Sequence, residues 1–151
     1  MENNLLHVAE VEVSYKQNYK ISERPKITQS FDAYELFLNN WNKGRISYLE
    51  EFKVMLLNRA NRVLGIVDIS LGGLNGTVVD PRIIFAIALK ANADSLILCH
   101  NHPSGNLKAS SADIRITQQL KDGGLILGIK VNDHLIISKE GYYSFGDDGM
   151  M

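Results

Sequence analysis

Short apolar runs of strand length limit what this chain can fold into. Phe52 to Leu57, Val63 to Ile69, Ser95 to Cys99 and Val131 to Ser138 each read as a strand, and Tyr142 to Phe145 follows after a turn at Lys139-Glu140-Gly141. The first two are joined through the turn-forming stretch Asn58 to Arg62. Between the strands, apolar residues recur at helical spacing. Ser30 is the expected N-cap of a helix carrying Tyr34, Phe37, Leu38 and Trp41, stopped by Gly44. Asp80-Pro81 opens a second helix with Ile83, Ile84, Ile87 and Ala91. Ser110 opens a third with Ile114, Ile116, Thr117 and Leu120, expected to end at Gly123-Gly124. Strands and helices mix without strict alternation. The expected class is therefore α/β: an α+β arrangement with a mixed sheet flanked by helices.

At 151 residues there is room for one core. The expected organisation is a polar leader over residues 1–28 and a domain over 29–151. Val11, Val13 and Tyr15 alternate as an edge strand would. The leader also interleaves Lys16, Lys20, Arg24 and Lys26 with Tyr15 and Tyr19, a mixture that suits phosphates and stacked bases. The preferred reading is plainer, a solvated arm packed on the domain. Lysine plus arginine (16) nearly cancels aspartate plus glutamate (17), so net charge gives no argument for a nucleic-acid partner. Cys99 is the lone cysteine, which excludes an internal disulfide and fits a reducing compartment. Its expected state is a buried, inert thiol facing away from His100. The start lacks a signal-peptide pattern, and runs such as Ile83 to Leu89 are too short to span a bilayer. A cytoplasmic chain with no membrane role is expected. Leu71 to Gly76 lacks the patterns of a phosphate cradle and reads as a loop, and His7 is assigned no role.

The chemistry concentrates after the third strand. His100 and His102 stand two apart, so on an extended backbone both imidazoles face the same way. Asp113, early in the next helix, is within reach of a short loop. Two histidines and a carboxylate suit zinc, and three protein ligands leave a position for water. Ser110-x-x-Asp113 also fits a capping box, and Pro103 and Gly105 fit turn punctuation.

The run His100-Asn101-His102-Pro103-Ser104-Gly105, with Ser110-Ser111-Ala112-Asp113 after a six-residue gap from Pro103, resembles the JAMM motif. In the form HNHPSG it is similar to the RadC-like branch of the JAB/MPN superfamily. Asp80-Pro81-Arg82, Ala91-Asn92-Ala93 and Asp133-His134-Leu135-Ile136 resemble the same branch, and the likeness covers about Phe31 to Phe145. The resemblance implies a three-layer, cytidine-deaminase-like architecture with Zn2+ as cofactor. It implies His100, His102 and Asp113 as ligands and Ser110 as a donor to the developing oxyanion. It implies an upstream glutamate as general base, and its pattern selects Glu50 over Glu51, leaving Glu51 solvated or salt-bridged. For His134, a packed histidine hydrogen-bonded within the sheet is preferred over a pairing with Asp133 beside the metal. Relatives in this branch carry a helix-hairpin-helix region before the domain, which the short leader lacks, so a standalone domain is expected and a DNA-repair role finds no support in these residues. Asn106 to Ala109 also lacks the branch's prolines.

Three functions follow in order of preference. The first is a zinc metalloprotease, a peptidase or isopeptidase acting on a protein or peptide. The second is a DNA-processing enzyme, resting on the basic leader. The third is a non-catalytic interaction module, which usually lacks the ligands that this chain retains.

Overall fold

The computed structural model describes residues 9–12, 14, 16–72 and 78–151. The elements, in chain order, are α1 (Ser30–Asn39), β1 (Glu51–Leu57), β2 (Val63–Leu71), α2 (Pro81–Lys90), β3 (Ser95–Asn101), α3 (Ser111–Leu127), β4 (Lys130–Ser138) and β5 (Gly141–Ser144). The sheet order is β2-β1-β3-β4-β5, with β3 and β4 parallel and the other pairs antiparallel. The expected mixed sheet is what forms.

Strand alternation divides the interior in two. Phe52, Val54 and Leu56 of β1 and Leu96 and Leu98 of β3 pack under α2 and α3 with Ile84, Phe85 and Leu120. Met55, Leu57, Ile97, Cys99, Leu135 and Ile137 point the other way, onto Tyr34, Phe37 and Trp41. The result is three layers: α1, the sheet, and the α2–α3 pair. Cys99 is fully buried in the α1-side core, and burial pushes its thiol up, as an inert cysteine requires.

Some element boundaries differ from expectation. Ser30 is the first residue of α1 rather than its cap. Asp32 closes that end by accepting from the backbone of Thr28 and Gln29, while the Ser30 hydroxyl donates to Asp147. The helix stops at Asn39, so Trp41 is buried from the turn that follows. α3 runs through Gly123-Gly124 and ends at Gly128, whose φ of 71° is the left-handed cap. The earlier glycines are there for packing: a Cβ on Gly124 would overlap the Ile129 carbonyl, and one on Gly123 would press on the Phe85 ring.

Residues from Tyr19 onward lie against the start of β2. Tyr19 donates its hydroxyl to the Leu64 carbonyl at 2.8 Å, and Val63 N–H donates to Pro25. Val11 is exposed and in no strand, while Val13, Tyr15, His7 and Gly73 to Gly76 lie outside the described residues. Among the described residues, no helix is long and apolar enough to cross a membrane.

Candidate metal centre

Two chain segments and one helix end meet where β3 finishes. His100 is the penultimate residue of β3, between Phe52 of β1 and Ile136 of β4. Asn101 is fully buried and turned to the opposite face. It accepts from Glu51 N–H at 2.7 Å and donates to the carbonyls of Ile46 and Leu49 at 2.7 and 2.8 Å. This one side chain fastens the irregular stretch before β1 to the end of β3, and so fixes the position of Glu50. His102 then leaves the strand, held through its N–H to Ile137 and through Nδ1, which donates to the Asn106 carbonyl at 2.6 Å.

Asp113 arrives from the first turn of α3. Ser110 is that helix's N-cap: its Oγ accepts from Asp113 N–H at 3.1 Å, and Asp113 Oδ2 accepts from Ser110 N–H at 2.8 Å. The capping-box reading is therefore realised. It uses the serine oxygen only as an acceptor, which leaves the hydroxyl proton of this exposed residue uncommitted.

Glu50, His100, His102 and Asp113 converge so that one ligand atom from each lies within 4.8 Å of the others. His100 Nε2 is 3.0 Å from His102 Nε2 and 3.1 Å from Asp113 Oδ1, while His102 Nε2 is 3.3 Å from Asp113 Oδ2. Glu50 Oε1 stands farther out, 3.8 Å from His100 Nε2. Glu51, its neighbour, points away and is buried against Arg45 at 2.6 Å and Lys53 at 3.6 Å. It is salt-bridged rather than solvated.

These residues fit a divalent ion on two counts. Ligands about 2.0–2.1 Å from a tetrahedral zinc are separated from one another by roughly 3.3 Å, close to the spacing of the histidine and aspartate atoms. The donor set also contains two carboxylates, and among the described residues neither has a lysine or arginine partner. Buried negative charge without a cation is costly, and an ion supplied from outside removes that cost. Burial would lift the Asp113 carboxyl, but hydrogen bonds from His100 and His102, when those rings are protonated, outweigh this and hold it well below the usual carboxylate range. Burial raises the Glu50 carboxyl, with the Asp113 charge adding to the effect and the two histidines opposing it.

Behind His100 lies a feature that residue spacing did not predict. His134 is fully buried, as the packed reading required, but its ring partner is neither the sheet backbone nor the Asp133 carboxylate. Its Nε2 meets His100 Nδ1 at 2.8 Å and its Nδ1 meets Thr117 Oγ1 at 2.6 Å. Asp133 instead accepts from Ser144, Gly146 and the backbone of His134. Phe52 stacks on His100 and Phe145 on His134. Thr117, Asn101 and the His100–His134 contact were not legible as parts of the site. The available signal was that a threonine one turn after Asp113 faces the same way along α3.

The RadC-like JAB domain family matches residues 27–150. The chain is 44% identical over 144 residues to a UPF0758 protein of Flavobacterium johnsoniae, covering 95% of this chain and 62% of that one. It is 46% identical over 138 residues to a UPF0758 protein of Alkaliphilus metalliredigens, covering 87% and 60%. A UPF0758 protein of Desulfitobacterium hafniense is 48% identical over 130 residues, covering 85% and 55%. The chain thus spans less than two thirds of these relatives. With its mixed sheet, its three layers and a His/Asp/Glu cluster at the end of β3, this chain belongs to the RadC-like JAB domain family.

Proposed function

We propose that this domain is a zinc-dependent hydrolase of amide bonds in a protein or peptide, with His100, His102 and Asp113 as metal ligands. The observation that supports it most is the cluster itself: two imidazole nitrogens and a carboxylate at tetrahedral spacing, with Glu50 set back as an unligated fourth group. When bound there, zinc supplies an activated water and a Lewis acid for the carbonyl oxygen. Glu50 accepts the proton of the attacking water and returns it to the leaving nitrogen. Its position supports this role, with Oε1 3.8 Å from His100 Nε2 and so beside the ligand cluster. The Ser110 hydroxyl, with its oxygen engaged by the helix cap and its proton uncommitted, donates to the developing oxyanion. His100 and His102 are held at the end of β3 and Asp113 by the first turn of α3, so the ligand geometry is preorganised. A phosphodiester substrate is less well matched, since its anionic backbone would meet Glu50 and Asp113 with no cationic side chain paired to either among the described residues.

Metal content decides the reading. Protein purified without chelator is expected to carry a stoichiometric divalent transition metal, and His102→Ala to carry almost none. Equal metal in the two proteins would exclude His102 as a ligand and overturn the metal site.

A further inference from the structure

We propose that Thr117 and His134 form a positioning relay that fixes the tautomer of His100, leaving its Nε2 lone pair bare for a cation. The proposal rests on the reading of His100 as a metal ligand, and it assigns roles to two residues that touch neither metal nor substrate.

Hydrogen-bond directions along this line are forced by counting protons. The Asp113 carbonyl can only accept, so Thr117 spends its single hydroxyl proton on that bond, at 2.6 Å. This is the back-bond to the preceding turn that a helical threonine commonly makes. The second contact of Thr117 Oγ1, to His134 Nδ1, must then have the imidazole donating. His134 is wholly buried, with no carboxylate on either ring nitrogen, so it is held neutral and its Nε2 carries no proton. His100 Nδ1 therefore donates to His134 Nε2, and the proton of a neutral His100 is spent there. Its Nε2 faces His102 and Asp113 as a lone pair.

The relay starts on the backbone of Asp113 and returns, through three side chains, to a nitrogen 3.1 Å from the Asp113 carboxylate. One residue thus anchors both ends. Phe52 and Phe145 stack on the two rings and restrict them to the plane in which these bonds are made. His102 needs no such device, because a carbonyl, that of Asn106, sets its tautomer directly. A second histidine is a weaker director than a carbonyl since it can itself switch tautomer, and Thr117 removes that freedom.

Imidazole 15N chemical shifts of chelator-treated protein at about pH 8, above the ordinary histidine range, read the tautomers without any metal. The expected wild-type result is a proton on Nδ1 of both His100 and His134. Thr117→Val removes the acceptor and should move the His134 proton to Nε2, driving the His100 proton onto its own Nε2. Zinc affinity, measured against a competing chelator, should then weaken by about 10–100-fold, and Thr117→Ser should restore it. A wild-type His100 protonated on Nε2 would overturn the relay. So would a Thr117→Val protein with unchanged tautomers and zinc affinity. If Thr117→Val fails to fold, the wild-type shifts decide alone. Wild-type protein with the expected tautomers but no zinc binding would support the relay and overturn the metal reading instead.

Discussion

Glu50 and Glu51 are neighbours in the chain and opposites in the fold. Glu51 enters the α1 side of the sheet, where Arg45 and Lys53 neutralise it and Asp68 completes the group by pairing with Lys53. Glu50 enters the α2–α3 side, where it meets Asp113 and two histidines, with no cationic partner among the described residues other than a protonated imidazole. Asn101, flanked by His100 and His102, binds the backbone of Glu51 and so links the two clusters. One cluster balances its own charge and the other does not. A charge group that is complete within the chain is explained by stability, whereas one that lacks a counter-ion implies a partner from outside.

The largest effect that separates the clusters should be catalytic. Glu50→Gln is expected to keep its metal while losing hydrolysis by about 10²–10⁴-fold, the usual contribution of a positioned acid–base group. Glu51→Gln should leave both properties close to wild type. If the two substitutions lowered turnover equally at full metal occupancy, Glu50 would have no special role.

Stability should show the reverse order. Lys53 is buried and lies over the Trp41 ring, so Glu51→Gln leaves it only the exposed Asp68. A loss of roughly 1–3 kcal/mol in denaturant unfolding is expected, as for a buried charged group deprived of a partner. The pair Glu51→Gln with Lys53→Met should recover most of it, because an apolar replacement removes both charges from the interior. Glu50→Gln in metal-free protein should be neutral or stabilising, since burial already disfavours its charge. A Glu50→Gln protein less stable than Glu51→Gln would invert the comparison.

How much of this was legible in the chain depends on whether a feature is local. The strands and the α2 cap follow from runs and from Asp80-Pro81, whose carboxylate accepts from Arg82 N–H as expected. The convergence of His100, His102, Asp113 and Glu50 followed from spacing for the first two and from family resemblance for Glu50. Opposite faces for Glu50 and Glu51 follow from the alternation of side chains if the segment is extended. What stayed hidden depends on contacts between distant elements. Gly123-Gly124 looks like a helix stop until Phe85 and Ile129 are seen against it. His134 looks like any sheet histidine until parallel pairing sets β4 beside β3 and brings its ring to His100. Lys53 sits within an apolar run as if exposed, and only the ion-pair cluster accounts for its burial.

The smallest of these effects, and the most specific, is a pair of opposed pH slopes. His102 is held above the ordinary histidine range by its hydrogen bond to Asp113, against the effect of burial, with the Asn106 carbonyl and the charges of Asp113 and Glu50 adding to it. In the metal-free chain a proton on His102 therefore serves as the missing cation. Its folded pKa exceeds the unfolded value, so its contribution to stability is complete below about pH 6.5 and is lost as pH rises through the raised folded value. Metal binding runs the other way, because the ion needs the neutral imidazole, and affinity should climb over the same window as the competing proton leaves. Denaturant midpoints of chelated protein and competition titrations with zinc, each followed across this range, read the two slopes separately. His102→Asn should flatten the first and abolish zinc binding, while Glu51→Gln should leave the direction of both unchanged. A metal-free midpoint that rises with pH above the ordinary histidine range would show that His102 holds no stabilising proton and does not supply the cation that Glu50 and Asp113 lack.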